Sequence, residues 1–99
     1  MKKSLKKINK ELYYYKDGGK IIVTQDTLPD FISGNVSGIS GNVSGITGDV
    51  SGITGYVSGI WGNVTNITGD VTNITGNLDD CEITEEERKK GVNINELIK

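Results

Sequence analysis

Apolar residues recur along the middle of this chain with an alternating spacing of four and three. Seven seven-residue units run from Ile32 to Asp80: ISGNVSG, ISGNVSG, ITGDVSG, ITGYVSG, IWGNVTN, ITGDVTN and ITGNLDD. Position one is Ile in every unit, from Ile32 to Ile74, and position five is Val from Val36 to Val71, then Leu78. Position three is always Gly, and position seven is Gly until Asn66, Asn73 and Asp80 replace it. A fixed short period marks a structural unit that stacks on copies of itself. The spacing imitates a coiled coil. Eleven Gly within the repeat argue against helix, at about 1 kcal/mol each relative to Ala. Collagen is excluded because its Gly recurs every third residue.

Extended structure fits the pattern. β-branched residues at positions one and five suit strands. Period-two alternation places Ile, Gly and Val of positions one, three and five on an inward face, with positions two and four outward. Positions six and seven turn the chain, since Gly and Asn tolerate positive φ. Two architectures follow. The favoured one is a parallel β-solenoid of seven heptads, two or three to a coil, in which Ile stacks over Ile and Asn over Asn about 4.8 Å apart. The alternative is an antiparallel β-meander, which would leave an apolar face with little sequence to cover it.

The repeat (residues 31–80) is flanked by two caps. In residues 1–30, Leu5, Ile8, Leu12 and Tyr15 recur at helical spacing and predict an amphipathic helix over about residues 4–12. LYYY and KIIV flank Lys16-Asp17-Gly18-Gly19 and predict a β-hairpin. A turn follows at Leu28-Pro29-Asp30. In residues 81–99, Thr84 with Glu87 forms a capping-box signature and Gly91 stops the helix. Val92, Ile94, Leu97 and Ile98 are apolar anchors for a further turn. Such caps protect the strand edges at the ends of a stack.

Charge is distributed unevenly. Residues 1–20 hold seven Lys against Glu11 and Asp17, whereas residues 21–78 hold four Asp and no basic residue. The Lys-rich head could contact nucleic acid, though a solvated face suits an acidic chain better. The lone Cys81 forms no internal disulfide and, within LDDCEITEEE, has no activating partner. The chain has no His, no phosphate loop and no regular carboxylate set for calcium, so the expectation is a non-enzyme without cofactor or metal. No apolar run reaches the roughly 18–20 residues of a membrane span, and the expected location is the cytoplasm of a bacterial or phage-infected cell.

The Ile-x-Gly-x-Val-x-Gly units, about half the chain, resemble short Gly-containing heptad-repeat β-helix proteins of bacteria and phages. Pentapeptide-repeat proteins share the logic but not the period, and the acidic DNA mimics among them are more charged than this repeat. The resemblance implies a β-helical fold and names no function. Two outward positions depart from the pattern: Tyr56 at position four and Trp61 at position two. Tyr and Trp are common interface anchors; a cap folding over them is the competing explanation. With the outward polar residues Asp49, Asn63 and Asp70 they form the expected protein-binding site. The leading expectation is a protein-binding module, such as a phage inhibitor of a bacterial defence system of the anti-CRISPR kind. A structural oligomer or fibre element, and a nucleic-acid-directed module or DNA mimic, are the alternatives.

Overall fold

The computed structural model describes residues 1–5 and 11–98. It is mainly β, with parallel strands in two sheets and little helix. β1 (Leu12–Lys16) and β2 (Gly19–Ile22) form an antiparallel hairpin. The hairpin falls where the sequence predicts it, but its turn is shorter: Lys16 and Gly19 pair within the strands, leaving Asp17 and Gly18, both at positive φ, as a two-residue turn. The repeat supplies β3 (Ile32–Ser33), β4 (Ile39–Asn42), β5 (Ile46–Asp49), β6 (Ile53–Tyr56), β7 (Ile60–Asn63), β8 (Ile67–Asp70) and β9 (Gly76–Asn77). A 3-10 turn at Leu78–Cys81, the helix α1 (Glu85–Lys90), β10 (Val92–Asn93) and a second 3-10 turn at Ile94–Leu97 complete the chain.

Successive heptads alternate between the sheets. The first sheet has the order β10-β8-β6-β4-β1-β2 and the second β3-β5-β7-β9. Every pairing within the repeat is parallel, which removes the meander for the described strands. The core lies along positions one and five. Ile32 to Ile67 at position one and Val36 to Leu78 at position five are all buried. Burying each such side chain contributes about 1.5–3 kcal/mol.

The register corrects the expected ladders. Ile32 pairs with Gly48, Ile39 with Gly55, Ile46 with Gly62 and Ile53 with Gly69. Each strand is therefore displaced by two residues from a like-over-like stack. Ile lies beside Gly, and position two lies beside position four, as in Ser33 with Asp49. The glycines explain the displacement. Those at position three have φ between +91° (Gly48) and +136° (Gly76), so they do not share the inward face with Ile and Val. A Cβ on Gly48 would collide with the Asn63 carboxamide and the Thr65 hydroxyl, and one on Gly55 with Asp70 and Thr72. The hydrogens of glycine leave room for polar side chains of the next strand. At position seven, the expected positive φ occurs at Asn66 and Asn73 but not at Gly38, Gly45, Gly52 or Gly59.

Both caps extend the first sheet by borrowing the repeat's register. Leu12 pairs with Gly41, which puts Leu12 at position one; it is buried, and the Tyr15 amide donates to Ser44 Oγ at 3.0 Å. At the other end the Val92 amide donates to the Asn66 carbonyl at 2.9 Å, the bond a position-three Gly makes elsewhere. Val is tolerated there because, among the described residues, no further strand of that sheet lies beyond it. The expected helix over residues 4–12 falls mostly on residues 6–10, outside the described residues. Leu12 and Tyr15 lie in a strand, and Leu5 is exposed. The stripe that suggested a helix is thus, at Leu12 and Tyr15, part of a sheet whose partner is distant in sequence. In the C-terminal cap the Thr84–Glu87 capping box forms in full and Gly91 ends α1. Val92 and Ile94 are buried and Leu97 packs against the core, whereas Ile98 is exposed.

Candidate functional site

The outward surface is built by one hydrogen-bond rule. At position four, Asn or Asp accepts the amide of the residue two places on: Asn35 from Ser37, Asn42 from Ser44, Asp49 from Ser51, Asn63 from Thr65 and Asp70 from Thr72, at 2.9–3.0 Å. This local turn is the usual work of Asn and Asp side chains. At position six, the Ser or Thr hydroxyl accepts the position-four amide of the preceding strand in the same sheet. Asn35 donates to Ser51, Asn42 to Ser58, Asp49 to Thr65 and Tyr56 to Thr72, at 2.8–3.1 Å. The Asn-x-Ser/Thr spacing at Asn35, Asn42 and Asn63 is thus a folding device. Asp49, Asn63 and Asp70, expected as binding residues, each use a side-chain oxygen in it. The Ser51 hydroxyl and amide hold the Asp49 carboxyl below its ordinary range. The Thr72 amide and hydroxyl do the same for Asp70.

Tyr56 and Trp61 stand outside this rule. Tyr56 is 50 % exposed and Trp61 47 % exposed. Tyr56 cannot accept the Ser58 amide as Asn or Asp would, so a local hydrogen bond present in the neighbouring units is missing. Its ring lies along Gly41, where a Cβ would come within 2.9 Å of Cε1. The Trp61 indole lies along Gly45, where a Cβ would collide with it. The two aromatics do not share a sheet: Tyr56 ends β6 in the first and Trp61 sits in β7 of the second. Five residues in sequence span a turn between sheets, so the residues expected to form one protein-binding site fall on two surfaces. Tyr56 and Asp70 belong to one; Trp61, Asn63 and Asp49 belong to the other.

Tyr56 lines a groove that sequence reasoning missed. A cavity of about 680 Å³ on the first sheet is lined by Tyr56, Tyr13, Glu11, Ser37, Ser40 and Thr72, among others, over Gly38, Gly41 and Gly55. Its volume is within the usual range of ligand pockets. Tyr13 comes from the hairpin, where Lys20 Nζ lies 4.4 Å from the centre of its ring and 2.7 Å from Glu11. Pairing of β1 with β4 brings Tyr13 to the groove, and nothing in the spacing of LYYY reveals that partner.

The remaining candidates stay apart from this groove. Cys81 is free and exposed. Among the described residues no group of three metal-ligating side chains is gathered, and no helix is long and apolar enough to cross a membrane. α1 is tied to the repeat through Arg88, whose guanidinium donates to the Thr65 carbonyl at 2.7 Å and whose own carbonyl accepts from Asn66 Nδ2 at 2.8 Å. Asn66, the first Asn in place of Gly at position seven, makes that contact. Comparison with protein-family models, curated proteins and solved structures finds no match.

Proposed function

We propose that the heptads wind as a β-solenoid, two heptads to a coil, and that the chain is a non-enzymatic protein-binding module. The observation that carries this reading is Tyr56. It replaces a residue type that the scaffold uses for a hydrogen bond, it is half exposed, and it walls a groove with Tyr13. A side chain that weakens its own scaffold and faces solvent fits an interface anchor. Trp61 on the second sheet provides a further anchor. An inhibitor of a bacterial defence system, acting in the cytoplasm, is a function such a scaffold would serve; that class rests on analogy of form.

The test is Tyr56→Asn, which restores the repeat. It is expected to stabilise the fold by about 0.5–1.5 kcal/mol, the contribution of a typical hydrogen bond, in urea denaturation. The same variant is expected to lose a partner that the native chain retains from host-cell extract, with Trp61→Thr as the second arm. Equal retention by both variants and the native chain would overturn the site assignment.

A specific observation favours association between copies as the second reading. β2 is a sheet edge, and Ile21, Ile22 and Tyr15 are exposed beside it. Unprotected edges of this kind pair readily with other chains. Light scattering that returns a defined multimer, dispersed by Ile22→Lys, would put that reading first.

A further inference from the structure

The first sheet ends on strands that the caps contribute, whereas the second ends on strands of the repeat itself. β2 and β10 flank the first sheet. The second begins at β3, where the Gln25 side chain stands in for a strand: its Nε2 donates to the Gly34 carbonyl at 2.7 Å and its Oε1 accepts the Val36 amide at 2.9 Å. At β9 there is no equivalent. Among the described residues no backbone donor reaches the carbonyls of Asn73 or Thr75, whereas Gly45 and Thr47, two strands earlier, accept from Gly62 and Val64 at 2.9 Å.

The side chains agree with the hydrogen bonds. Ile74 is only partly buried, unlike Ile32 to Ile67 at the same position. Gly76 keeps positive φ, +136°, yet a Cβ there would have nothing within 4 Å. Its counterparts Gly34, Gly48, Gly55 and Gly62 each receive polar side chains of the following strand. A groove of about 700 Å³ runs beside this edge, lined by Ile74, Gly76, Cys81, Leu97 and Ile98, among others.

We infer that β9 is a docking edge for a parallel strand of another polypeptide carrying Asn or Asp and Ser or Thr two residues apart. The chemistry of the occupant is set by continuity with the interfaces inside the sheet. In the pairing of β5 with β7, the strand next in line offers a carboxamide over Gly48 and a hydroxyl to the Asp49 amide, with Val64 between them closing the core. A strand added to β9 meets the same groups: Gly76 for the carboxamide, the Asn77 amide for the hydroxyl, and Ile74 for the apolar residue between them. Its amides bond the Asn73 and Thr75 carbonyls. Main-chain bonds supply affinity and the alternate side chains supply selectivity, as in strand addition generally. This edge is independent of Tyr56 and Trp61.

The full chain, labelled with nitrogen-15, is titrated with the synthetic peptide Ile-Thr-Gly-Asn-Val-Thr-Gly, blocked at both ends. Saturable shifts of the Thr75, Gly76 and Asn77 amides are expected. A peptide with Ala in place of Asn and the second Thr is expected to bind at least about tenfold more weakly, and N-methylation of the peptide Val is expected to abolish binding. Gly76→Val, which fills the vacant space, is expected to lose the response; the peptide variants make the test independent of its folding. Absence of β9 shifts at about 1 mM peptide, or equal binding of the Ala peptide, would overturn the inference. So would β9 shifts that appear on concentrating the chain alone, which would make a second copy the occupant.

Discussion

Three residue types at fixed places hold the repeat together. Gly at position three leaves space, Asn or Asp at position four closes a turn beside it, and Ser or Thr at position six bonds back to the preceding strand. The glycine is required for space as well as for φ, and the two contributions separate by comparison. Gly55→Ala must displace Asp70 or Thr72 and adopt a left-handed conformation, and is expected to cost about 2–4 kcal/mol. Gly76→Ala carries the conformational cost alone, about 1–2 kcal/mol. Urea denaturation of the pair measures the difference; equal costs would show that the collision relaxes freely. The carboxylates make a second prediction. Asp49 and Asp70 titrate below the ordinary 3.8 in the folded chain because hydrogen bonds from Ser51 and Thr72 favour their charged forms. Their contribution to stability is therefore complete above that value and is lost as pH falls through it towards the lowered folded values. Asp49→Asn with Asp70→Asn keeps the turn, since Asn fills position four elsewhere. The double variant is expected to show a flatter fall in melting temperature between about pH 5 and about pH 2 than the native chain.

At the scale of elements, the caps work by impersonation. β1 enters the first sheet as if Leu12 were a repeat Ile, and β10 leaves it as if Val92 were a repeat Gly. Gln25 does the same for the second sheet with a single amide, presenting one donor and one acceptor where a peptide group would. Gln25→Ala is expected to cost about 1–3 kcal/mol for two lost hydrogen bonds and to raise the exchange rate of the Val36 amide, read by hydrogen exchange. Unchanged protection at Val36 would mean that another group closes this edge. α1 contributes through its own signals: the Thr84 side chain accepts the Glu87 amide, the Glu87 side chain accepts the Thr84 amide, and Arg88 fastens the helix to the Thr65 carbonyl.

At the scale of the molecule, pairing within the repeat joins strands two heptads apart, so stability is a sum of near-neighbour interfaces. Deletion of residues 46–59 removes β5 and β6, one strand from each sheet, and joins units whose registers already match. The shortened chain is expected to fold with the same circular dichroism per residue and a lower melting temperature. Deletion of residues 46–49 alone shifts every later Ile out of phase and is expected to abolish cooperative melting. If both deletions melt alike, the heptad phase is not what sets the pairing.

The period, the strand assignment, the hairpin at Asp17-Gly18 and the α1 cap at Thr84 were legible because each depends on groups close together in the chain. Ile and Val at positions one and five announced the core for the same reason. The register was not legible, since nothing local says that Ile32 lies beside Gly48 rather than beside Ile46. That choice is made between strands, where the Asn63 and Thr65 side chains need the space that Gly48 leaves. The site divided in the same way. Tyr56 and Trp61 stood out as departures from the repeat, but their separation onto two sheets and the edge at β9 follow from how heptads alternate in space, and the groove that Tyr56 shares with Tyr13 follows from the pairing of β1 with β4. Sequence alone determined which residues could pack and turn; only the tertiary structure decided which of them meet, because hydrogen bonds and excluded volume between distant strands set the register.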